Sequence, residues 1–268
     1  MKEAGRERID VLLVERGLAE TRAKAQALIL AGDVSSDGMR IDKPGQRLPR
    51  DAEVAVRPAR RWVGRGAEKI APALETFGLH PSGKMILDVG SSTGGFTQLV
   101  LERGARAVIA VDVGRNQLDW RLRNDPRVHV MEGVNARYLA PGQLPAVPDW
   151  AVIDVSFISL ELVLPPVADC LCEGGTIVAL VKPQFEVGKG QVGRGGLVKD
   201  PALHRDVLTR LARFAEGRGW ACRDVCPAGL RGATGNQEYF LHMNLRGEPR
   251  DDIDTRIAAV LCPVEEPS

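Results

Sequence analysis

The feature that most constrains this chain is the run from Ile86 to Phe96, ILDVGSSTGGF. Apolar, β-favouring residues lead up to Asp88, glycines then open a turn, and apolar residues recur beyond it at helical spacing. The pattern predicts a strand, a glycine-rich turn and a helix. In an open α/β sheet such a turn faces the ligand crevice, and small residues let a ligand approach the backbone. We therefore expect a ligand-binding turn at the carboxyl end of a central strand.

Three ligand classes compete for this turn. A dinucleotide site requires G-x-G-x-x-G, which is disfavoured because Ser92 stands second after Gly90. A serine hydrolase elbow, G-x-S-x-G, is matched literally, with Ser92 as its nucleophile. The third class is S-adenosylmethionine, for which D-x-G-x-x-x-G-G is a familiar turn and Asp88 supplies a polar anchor. A purely structural turn is also compatible with these residues, so the rest of the chain must decide.

Composition excludes several other classes of protein. The 268 residues suffice for a large and a small domain, and no apolar run approaches the roughly 20 residues that span a bilayer. The amino terminus is polar and lacks the pattern of a signal peptide, so we expect a cytoplasmic protein with no membrane partner. The five cysteines lack zinc-site spacing, which predicts free thiols and no metal. Residues 1–61 carry 13 Lys and Arg against 10 Asp and Glu, a mild excess consistent with nucleic acid.

The first fifty residues predict a compact unit of two helices and a small sheet. The run RIDVLLVERGLAETRAKAQALILAGDV, followed by a D-G turn and IDKPGQRL, resembles the S4 RNA-binding domain. The resemblance implies an RNA-facing surface whose basic side chains contact phosphates rather than bases. The basic residues that it places there are Arg8, Arg22, Lys24 and Lys43.

The remainder of the chain predicts a second, larger domain. Pro58 interrupts any helix in the segment RPARRWV, and Trp62 can anchor that segment, so we assign residues 1–57 to the first domain, 58–64 to a linker and 65–268 to the second. After it, strands and helices alternate, which indicates a doubly wound, mostly parallel sheet. The predicted strands are 85–89, 107–111, 128–132, 150–154 and 176–181, with a late strand, 239–245, expected to form an antiparallel edge with 221–227.

Polar residues follow the predicted strands where a nucleoside would bind. Asp112 ends the second of these strands, 24 residues after Asp88, which is the place at which nucleoside-binding α/β folds put an acid on the ribose hydroxyls. A helix-capping role is the alternative. Asn135 and Ala136 end the third strand, near the expected position of an adenine edge. The alternative is that Asn135 only forms a turn.

Ionisable residues end the next two strands. Asp154 and Lys182 follow adjacent central strands, and Glu238 begins the late strand. Burying one charge alone is costly, so a pair in the crevice indicates a functional site, with a structural salt bridge as the alternative.

The motifs around these residues resemble those of a known family. Lys69 in GRGAEK, Asp154 in DVSFISL, Lys182 in VKPQFEVGKGQVG and Glu238 in GNQEYF match the Lys-Asp-Lys-Glu tetrad of FtsJ-type ribose 2′-O-methyltransferases. Together with the S4-like unit and the RRWV linker, they resemble the TlyA family, historically called haemolysin A. In the linker that family often has Arg-Ala-Trp-Val, so Arg61 of this chain is a departure from its pattern.

The TlyA resemblance implies a fold and an activity. The fold is α/β: a Rossmann-like methyltransferase domain with a mostly parallel seven-stranded sheet, preceded by a small α+β S4 domain. The implied activity is transfer of a methyl group from S-adenosylmethionine to a cytidine 2′-hydroxyl in 16S or 23S ribosomal RNA, within ribosomal subunits. The helical pattern of 251–261 resembles the extension of members that modify both RNAs. We expect a monomer.

Site residues follow from the resemblance and the turn. In the tetrad, Lys182 is expected to activate the 2′-hydroxyl and Asp154 to orient it, while Lys69 and Glu238 hold the ribose and tune the charges. The residues expected to bind S-adenosylmethionine are Asp88, Gly90, Ser92, Gly94, Gly95, Phe96, Asp112, Val113, Asn135 and Ala136.

Access to a ribose in helical RNA requires further contacts. Four basic residues near the motifs are expected to bind phosphates, and one aromatic residue to stack on a displaced base. These residues are Arg65, Arg137, Lys189, Arg194 and Phe157. The glycine-rich run 188–196 is expected to be mobile and to order on RNA. A serine hydrolase acting through Ser92, and a non-catalytic RNA-binding or haemolysin-like protein, are the competing hypotheses.

Overall fold

The protein is described from a computed structural model, which defines residues 5–57, 61–188 and 190–261. The chain divides into two compact units, with the division between Arg61 and Trp62. Among our sequence-based assignments, Pro58, Lys189 and Cys262 lie outside the described residues.

The first unit is a small α+β structure. Its elements are β1 (Arg6–Arg8), α1 (Ile9–Glu15), α2 (Arg22–Ala31), β2 (Val34–Ser36), β3 (Met39–Arg40), β4 (Arg47–Pro49) and β5 (Val54–Val56). Strand β1 pairs with β4, and β2 lies between β3 and β5, with all pairs antiparallel. The Thr21 hydroxyl accepts a hydrogen bond from Lys24 N at the start of α2, and Gly32 ends that helix in the left-handed conformation that favours glycine.

Apolar residues of both helices make the core of the first unit. Ile9 and Leu13 on α1 and Ile29 on α2 are completely buried, and Val34 and Leu48 close the core from the strands. Among residues 5–57, Asp10 is the one carboxylate buried within this core, and it is considered below.

The second unit is built on a sheet of seven strands. Its elements are α3 (Gly66–Thr76), β6 (Met85–Val89), α4 (Gly95–Glu102), β7 (Ala107–Asp112), α5 (Trp120–Arg123), β8 (Val128–Glu132), β9 (Trp150–Ile153), α6 (Leu160–Cys170), β10 (Thr176–Val181), α7 (Pro183–Glu186), α8 (Pro201–Glu216), β11 (Ala221–Pro227), β12 (Tyr239–Asn244) and α9 (Ile253–Leu261). Short 3-10 helices span 136–138, 141–143 and 194–196.

The strand order of the large sheet is β11-β12-β10-β9-β6-β7-β8. All strands are parallel except β12, which is antiparallel to both of its neighbours. The predicted α/β class, with a mostly parallel seven-stranded sheet after an α+β unit, is confirmed. The expected antiparallel pairing of the last two strands is also present, with β11 at the edge and β12 inside the sheet.

The strand order places a crevice at one point of the sheet. The chain runs from β6 outward to β7 and β8, then returns to the other side of β6 to form β9 and β10. Ligands of open α/β sheets bind outside the carboxyl ends of the strands at such a reversal. Apolar clusters cover both faces of the sheet, so its polar strand ends are the natural ligand-binding edge.

The helices and the cysteines of the described residues bear on two expectations from the sequence. No helix in the described ranges is long and apolar enough to cross a membrane. The four described cysteines, Cys170, Cys172, Cys222 and Cys226, are free thiols. Burial raises the pKa of the Cys222 and Cys226 thiols to about 12, as expected for packed rather than reactive cysteines.

Candidate active site

The turn after β6 brings two strand ends into close contact. Gly90 has φ +82° and donates its N–H to Val111 O at 2.8 Å, which ties the turn to β7. A Cβ on Gly90 would lie 2.9 Å from the carbonyl carbon of Asp154 and would overlap its oxygen. Only glycine fits both this backbone conformation and this approach. The turn and the residue after β9 therefore share one edge of the sheet.

Asp88 lies completely buried beneath this turn. Its Oδ2 accepts a hydrogen bond from the Thr97 hydroxyl at 2.6 Å, whereas Oδ1 is buried without a hydrogen-bond partner among the described residues. Burial raises the pKa of Asp88 to about 7, against the hydrogen bonds from Thr97, and the nearby carboxylates of Asp154 and Asp112 add to the rise. Three carboxylates thus surround the turn and favour a cationic ligand.

A cavity of about 510 Å³ opens at the crevice. Asp112 lies on its wall, and its two carboxylate oxygens accept the N–H groups of Ser92 and Gly114, each at 2.7 Å. These bonds hold Asp112 and the turn together. The predicted cofactor residues on the cavity wall are Gly90, Ser92, Asp112, Val113, Asn135 and Ala136.

A second cavity of about 220 Å³ shares Gly90, Ser92 and Asp154 with the first. Lys69, Arg65, Gly95 and Phe96 also line it. Of the other predicted cofactor residues, Asp88 is enclosed below the turn. Gly94 (φ +96°) faces the side chains of Leu118 and Leu122 instead of either cavity.

The four predicted tetrad residues form two lysine–carboxylate pairs. Lys69 Nζ donates to Glu238 Oε2 at 2.6 Å, and both side chains are almost completely buried. Lys182 Nζ lies 2.5 Å from Asp154 Oδ1 as an ion pair and donates to Ser156 Oγ at 2.9 Å. Asp154 Oδ1 is buried and accepts no hydrogen bond in proper geometry from the described residues. The Asp154 side chain is 22% exposed and lines both cavities, so its carboxylate can accept a hydrogen bond from a ligand hydroxyl.

Three contacts around the tetrad and the turn were missed by our sequence reasoning. Ser156 receives the Lys182 hydrogen bond, Gln184 Nε2 approaches Glu238 Oε1 at 3.4 Å, and Thr97 supports Asp88. Ser156 lies two residues after Asp154 and Gln184 two after Lys182, so their closeness to charged strand ends was a usable signal.

Comparison with known proteins shows the family to which the chain belongs. The profile of the FtsJ-like methyltransferase family matches residues 62–245, and that of the S4 domain matches residues 7–54. The 16S/23S rRNA (cytidine-2′-O)-methyltransferase TlyA of Mycobacterium tuberculosis is 49% identical over 89% of this chain and 90% of its own length. The chain belongs to the TlyA branch of the FtsJ-like methyltransferase family.

Two further similarities support membership of the TlyA branch. Hemolysin A of Brachyspira hyodysenteriae is 36% identical over 88% of this chain and 98% of its own length. The solved structure of a hemolysin-like protein from Streptococcus thermophilus is 42% identical, covers 96% of this chain and 95% of its own, and superposes with a TM-score of 0.74.

The hydrolase alternative is not favoured for this TlyA-branch chain. Ser92 has φ +47° and is exposed at the turn, but no hydrogen bond joins it to a histidine within the described ranges. His204 is bonded to Tyr239 and to the carbonyl of Val198, and His242 to Asn244. A Ser–His pair is the minimum that this chemistry requires. No group of three or more metal-ligating residues was found in the described part of the chain.

The predicted RNA-contacting residues of the second unit are exposed near the crevice or along its loops. Phe157 lines the larger cavity, is 89% exposed, and has φ +63°, a conformation that is costly for a bulky residue. Its ring lies 4.7 Å from that of Phe185. Arg65, Arg137 and Arg194 are exposed, and Lys189 lies outside the described residues.

In the S4 unit, the predicted RNA-contacting residues differ in their partners. Arg8 and Arg22 both bond to the buried Asp10, each at 2.9 Å, and Gln26 donates to the same carboxylate. Lys24 pairs with Glu20, whereas Lys43 is exposed. The Arg8 guanidinium, with Gln26 and Arg22, holds the pKa of Asp10 well below its usual range. Asp10 therefore fixes the guanidinium groups of two partly exposed arginines.

Proposed function

We propose that the protein transfers a methyl group from S-adenosylmethionine to the 2′-hydroxyl of a cytidine in ribosomal RNA. The observation that carries the proposal is the pairing of Lys182 with Asp154 and of Lys69 with Glu238 beside the crevice of an FtsJ-like fold. The name of the M. tuberculosis relative supports 16S and 23S ribosomal RNA as targets. We expect the protein to act in the cytoplasm, as a monomer, on ribosomal subunits.

The residues present fit the proposed cofactor. Asp88, Asp112 and Asp154 surround the turn, and Asp88 Oδ1 is buried without a donor. S-adenosylmethionine carries a sulfonium and an ammonium, and such cations are favoured where carboxylates converge. Gly90 lines the cavity at the point where a Cβ would collide with the backbone of Asp154. Asp112 would accept the ribose hydroxyls, because each of its oxygens keeps a free lone pair, and Asn135 would face the base.

The chemistry assigned to the chain's residues is proton removal and orientation. When bound, S-adenosylmethionine supplies an electrophilic methyl carbon. A ribose hydroxyl becomes a good nucleophile only when its proton is removed or strongly hydrogen-bonded. We assign removal of the hydroxyl proton to the Lys182 amine, which must first release to solvent the proton it carries in its ion pair with Asp154. We assign the orientation of the hydroxyl to the Asp154 carboxylate. The Asp154 carboxylate stabilises the ammonium that forms on Lys182.

Lys69 and Glu238 have a different role in the proposal. The sequence-based hypothesis was that Lys69 and Glu238 hold the ribose and tune the charges, and the Lys69 amine is bonded to Glu238. This pair lies at the second cavity, where Lys69 and Asp154 are both wall residues. We therefore assign Lys69 and Glu238 to holding the substrate ribose, with their charges mutually balanced.

RNA binding is assigned to both units. Phosphate contacts from the S4 unit and from exposed arginines would fix the RNA, and Phe157 would stack on the displaced base. The glycine-rich run is expected to become protected from protease when RNA binds.

The test is methyl transfer by a Lys182→Met variant. Tritium transfer from labelled cofactor to purified 30S and 50S subunits should fall on the order of 10³-fold, the range of general base catalysis. Lys84→Met, at the opposite edge of the sheet next to Met85, is the matched control and should keep the wild-type rate. Near-normal turnover by Lys182→Met, with RNA still bound, would contradict the assignment. Mapping ribose methylation in each subunit identifies the target.

A further inference from the structure

Two segments of the chain flank Glu238 and are joined by one side chain. The first, residues 193–199, includes the carboxyl end of the glycine-rich run, and the second, residues 231–237, leads into β12. Asn236 is 2% exposed and connects them. Its Nδ2 donates to Gly196 O at 2.7 Å and to Thr234 Oγ at 3.0 Å, and its Oδ1 accepts from Val198 N at 2.9 Å. The amide thus uses both of its donor hydrogens and its acceptor.

A second buried contact holds the first segment from its other side. His204 on α8 bonds through Nε2 to Val198 O at 2.8 Å and through Nδ1 to the Tyr239 hydroxyl at 2.9 Å. Because a carbonyl only accepts, the His204 Nε2–H group donates to Val198 O. The backbone of Val198 is therefore held at its N–H by Asn236 and at its carbonyl by His204.

The second segment presses directly on the carboxylate of Glu238. Gly232 N donates to Asn236 O, and Gly235 N to Gly232 O, each at 2.9 Å, so residues 232–236 form a tight loop. A Cβ on Gly232 would overlap Glu238 Oε1. This oxygen therefore packs against the loop backbone, while Oε2 binds Lys69. Any shift of the loop moves one wall of the Glu238 site.

From these contacts we infer that Asn236 is a positioning residue, which fixes the loop 232–236 against the segment 193–199 and thereby sets the place of Glu238 and Lys69. The inference rests on the proposed function of that pair. Asn236 itself does not touch the reacting atoms; it acts through the loop. It also anchors the carboxyl end of the glycine-rich run through its hydrogen bond to Gly196 O.

The test separates positioning from general stability. Asn236→Ala should lower kcat for methyl transfer about 30-fold, while the cofactor Kd from calorimetry changes less than twofold and KM for ribosomal subunits less than threefold. Thr176→Val is the matched control, because Thr176 makes a hydrogen bond to Asn244 at the far end of the same strand pair. Its kcat should stay within twofold of wild type. A kcat for Asn236→Ala within threefold of Thr176→Val would overturn the inference.

A second variant covers the case in which Asn236→Ala does not fold. Gly232→Ala leaves the Asn236 amide in place but puts a methyl group against Glu238 Oε1. Its kcat should fall at least tenfold with cofactor binding retained, and a fall below threefold would overturn the inference. An inactive wild-type enzyme would instead contradict the proposed function, so the two failures are distinguishable.

Discussion

Asp10 of the S4 unit and Asp88 of the catalytic unit are both completely buried, and their surroundings are opposite. Asp10 accepts hydrogen bonds from two guanidinium groups and an amide. Asp88 accepts them from Thr97 alone and has one oxygen with no partner among the described residues. The pKa of Asp10 is accordingly depressed, whereas that of Asp88 is raised to about 7.

The difference teaches what each carboxylate is for. A buried carboxylate with cationic donors is stabilised as the anion and fixes the donors in place. A buried carboxylate without them destabilises the protein when it ionises, unless a ligand provides the missing charge. We therefore interpret Asp10 as a support for two arginines and Asp88 as part of a site for a cation.

The largest expected effect is that of Asp88→Asn on stability. A carboxyl whose folded-state pKa is raised contributes stability below its unfolded pKa, near 4, and that contribution is lost as pH rises to about 7. A rise of the Asp88 pKa from near 4 to about 7 corresponds to roughly 4 kcal/mol of stability. The variant should therefore be more stable than wild type at pH 8, by up to that amount. Between pH 4 and 7 the free energy of unfolding should fall in the wild type but not in the variant, which has no carboxyl at position 88. Urea denaturation across this range measures it.

Cofactor affinity gives the second readout for Asp88→Asn. S-adenosylmethionine should bind more weakly to the variant, because one carboxylate of the cationic site is gone. Asp149→Asn is the control: Asp149 accepts Met85 N at the amino-terminal edge of the sheet and should not affect cofactor binding. Equal or lower stability of Asp88→Asn at pH 8 would contradict the comparison.

Asp10→Asn should destabilise the protein near neutral pH, whereas Asp88→Asn should stabilise it. Its depressed pKa contributes stability that is present above the unfolded value, near 4, and is lost as pH falls below it. The loss at pH 7 should be about 2 kcal/mol, a discounted figure because solvent reaches and screens both guanidinium groups. Between pH 5 and 8 the effect should be constant, unlike that of Asp88→Asn.

RNA binding sharpens the interpretation of Asp10. If Asp10 supports the two arginines, Asp10→Asn should weaken binding to ribosomal RNA severalfold at fixed salt. Glu15→Gln is a suitable control, since Glu15 lies on the same helix as Asp10 and pairs with Arg50, which is not a predicted RNA contact. Unchanged RNA affinity in a folded Asp10→Asn variant would leave Asp10 with a role in stability alone.

In the second unit, the sequence was sufficient to predict those site residues that lie next to the ends of strands. The run ILDVGSSTGGF, Asp112 and the motifs of the tetrad could be interpreted because turn residues and polar strand ends have local signatures. The pairing within the tetrad could not, because Lys69 and Glu238 are 169 residues apart and meet only through packing. The interior position of β12 had a signal in the apolar run YFLHM, typical of a strand covered on both faces. The role of Asn236 had no sequence signal, since its two contacts with the segment 193–199 are to backbone atoms about 40 residues away.

The smallest expected effect compares the neutral donors of the two carboxylates. Thr97→Val removes the hydroxyl that donates to Asp88, and Gln26→Met removes the amide that donates to Asp10. Asp10 keeps two guanidinium donors, so Gln26→Met should cost only about 0.5 kcal/mol at pH 8. Asp88 keeps no other side-chain donor among the described residues, so Thr97→Val should cost about 1.5 kcal/mol there. At pH 4, where Asp88 is protonated, the cost of Thr97→Val should shrink, whereas that of Gln26→Met should not, because Asp10 stays ionised. Equal costs at both pH values would show that charged donors do not distinguish these two buried aspartates.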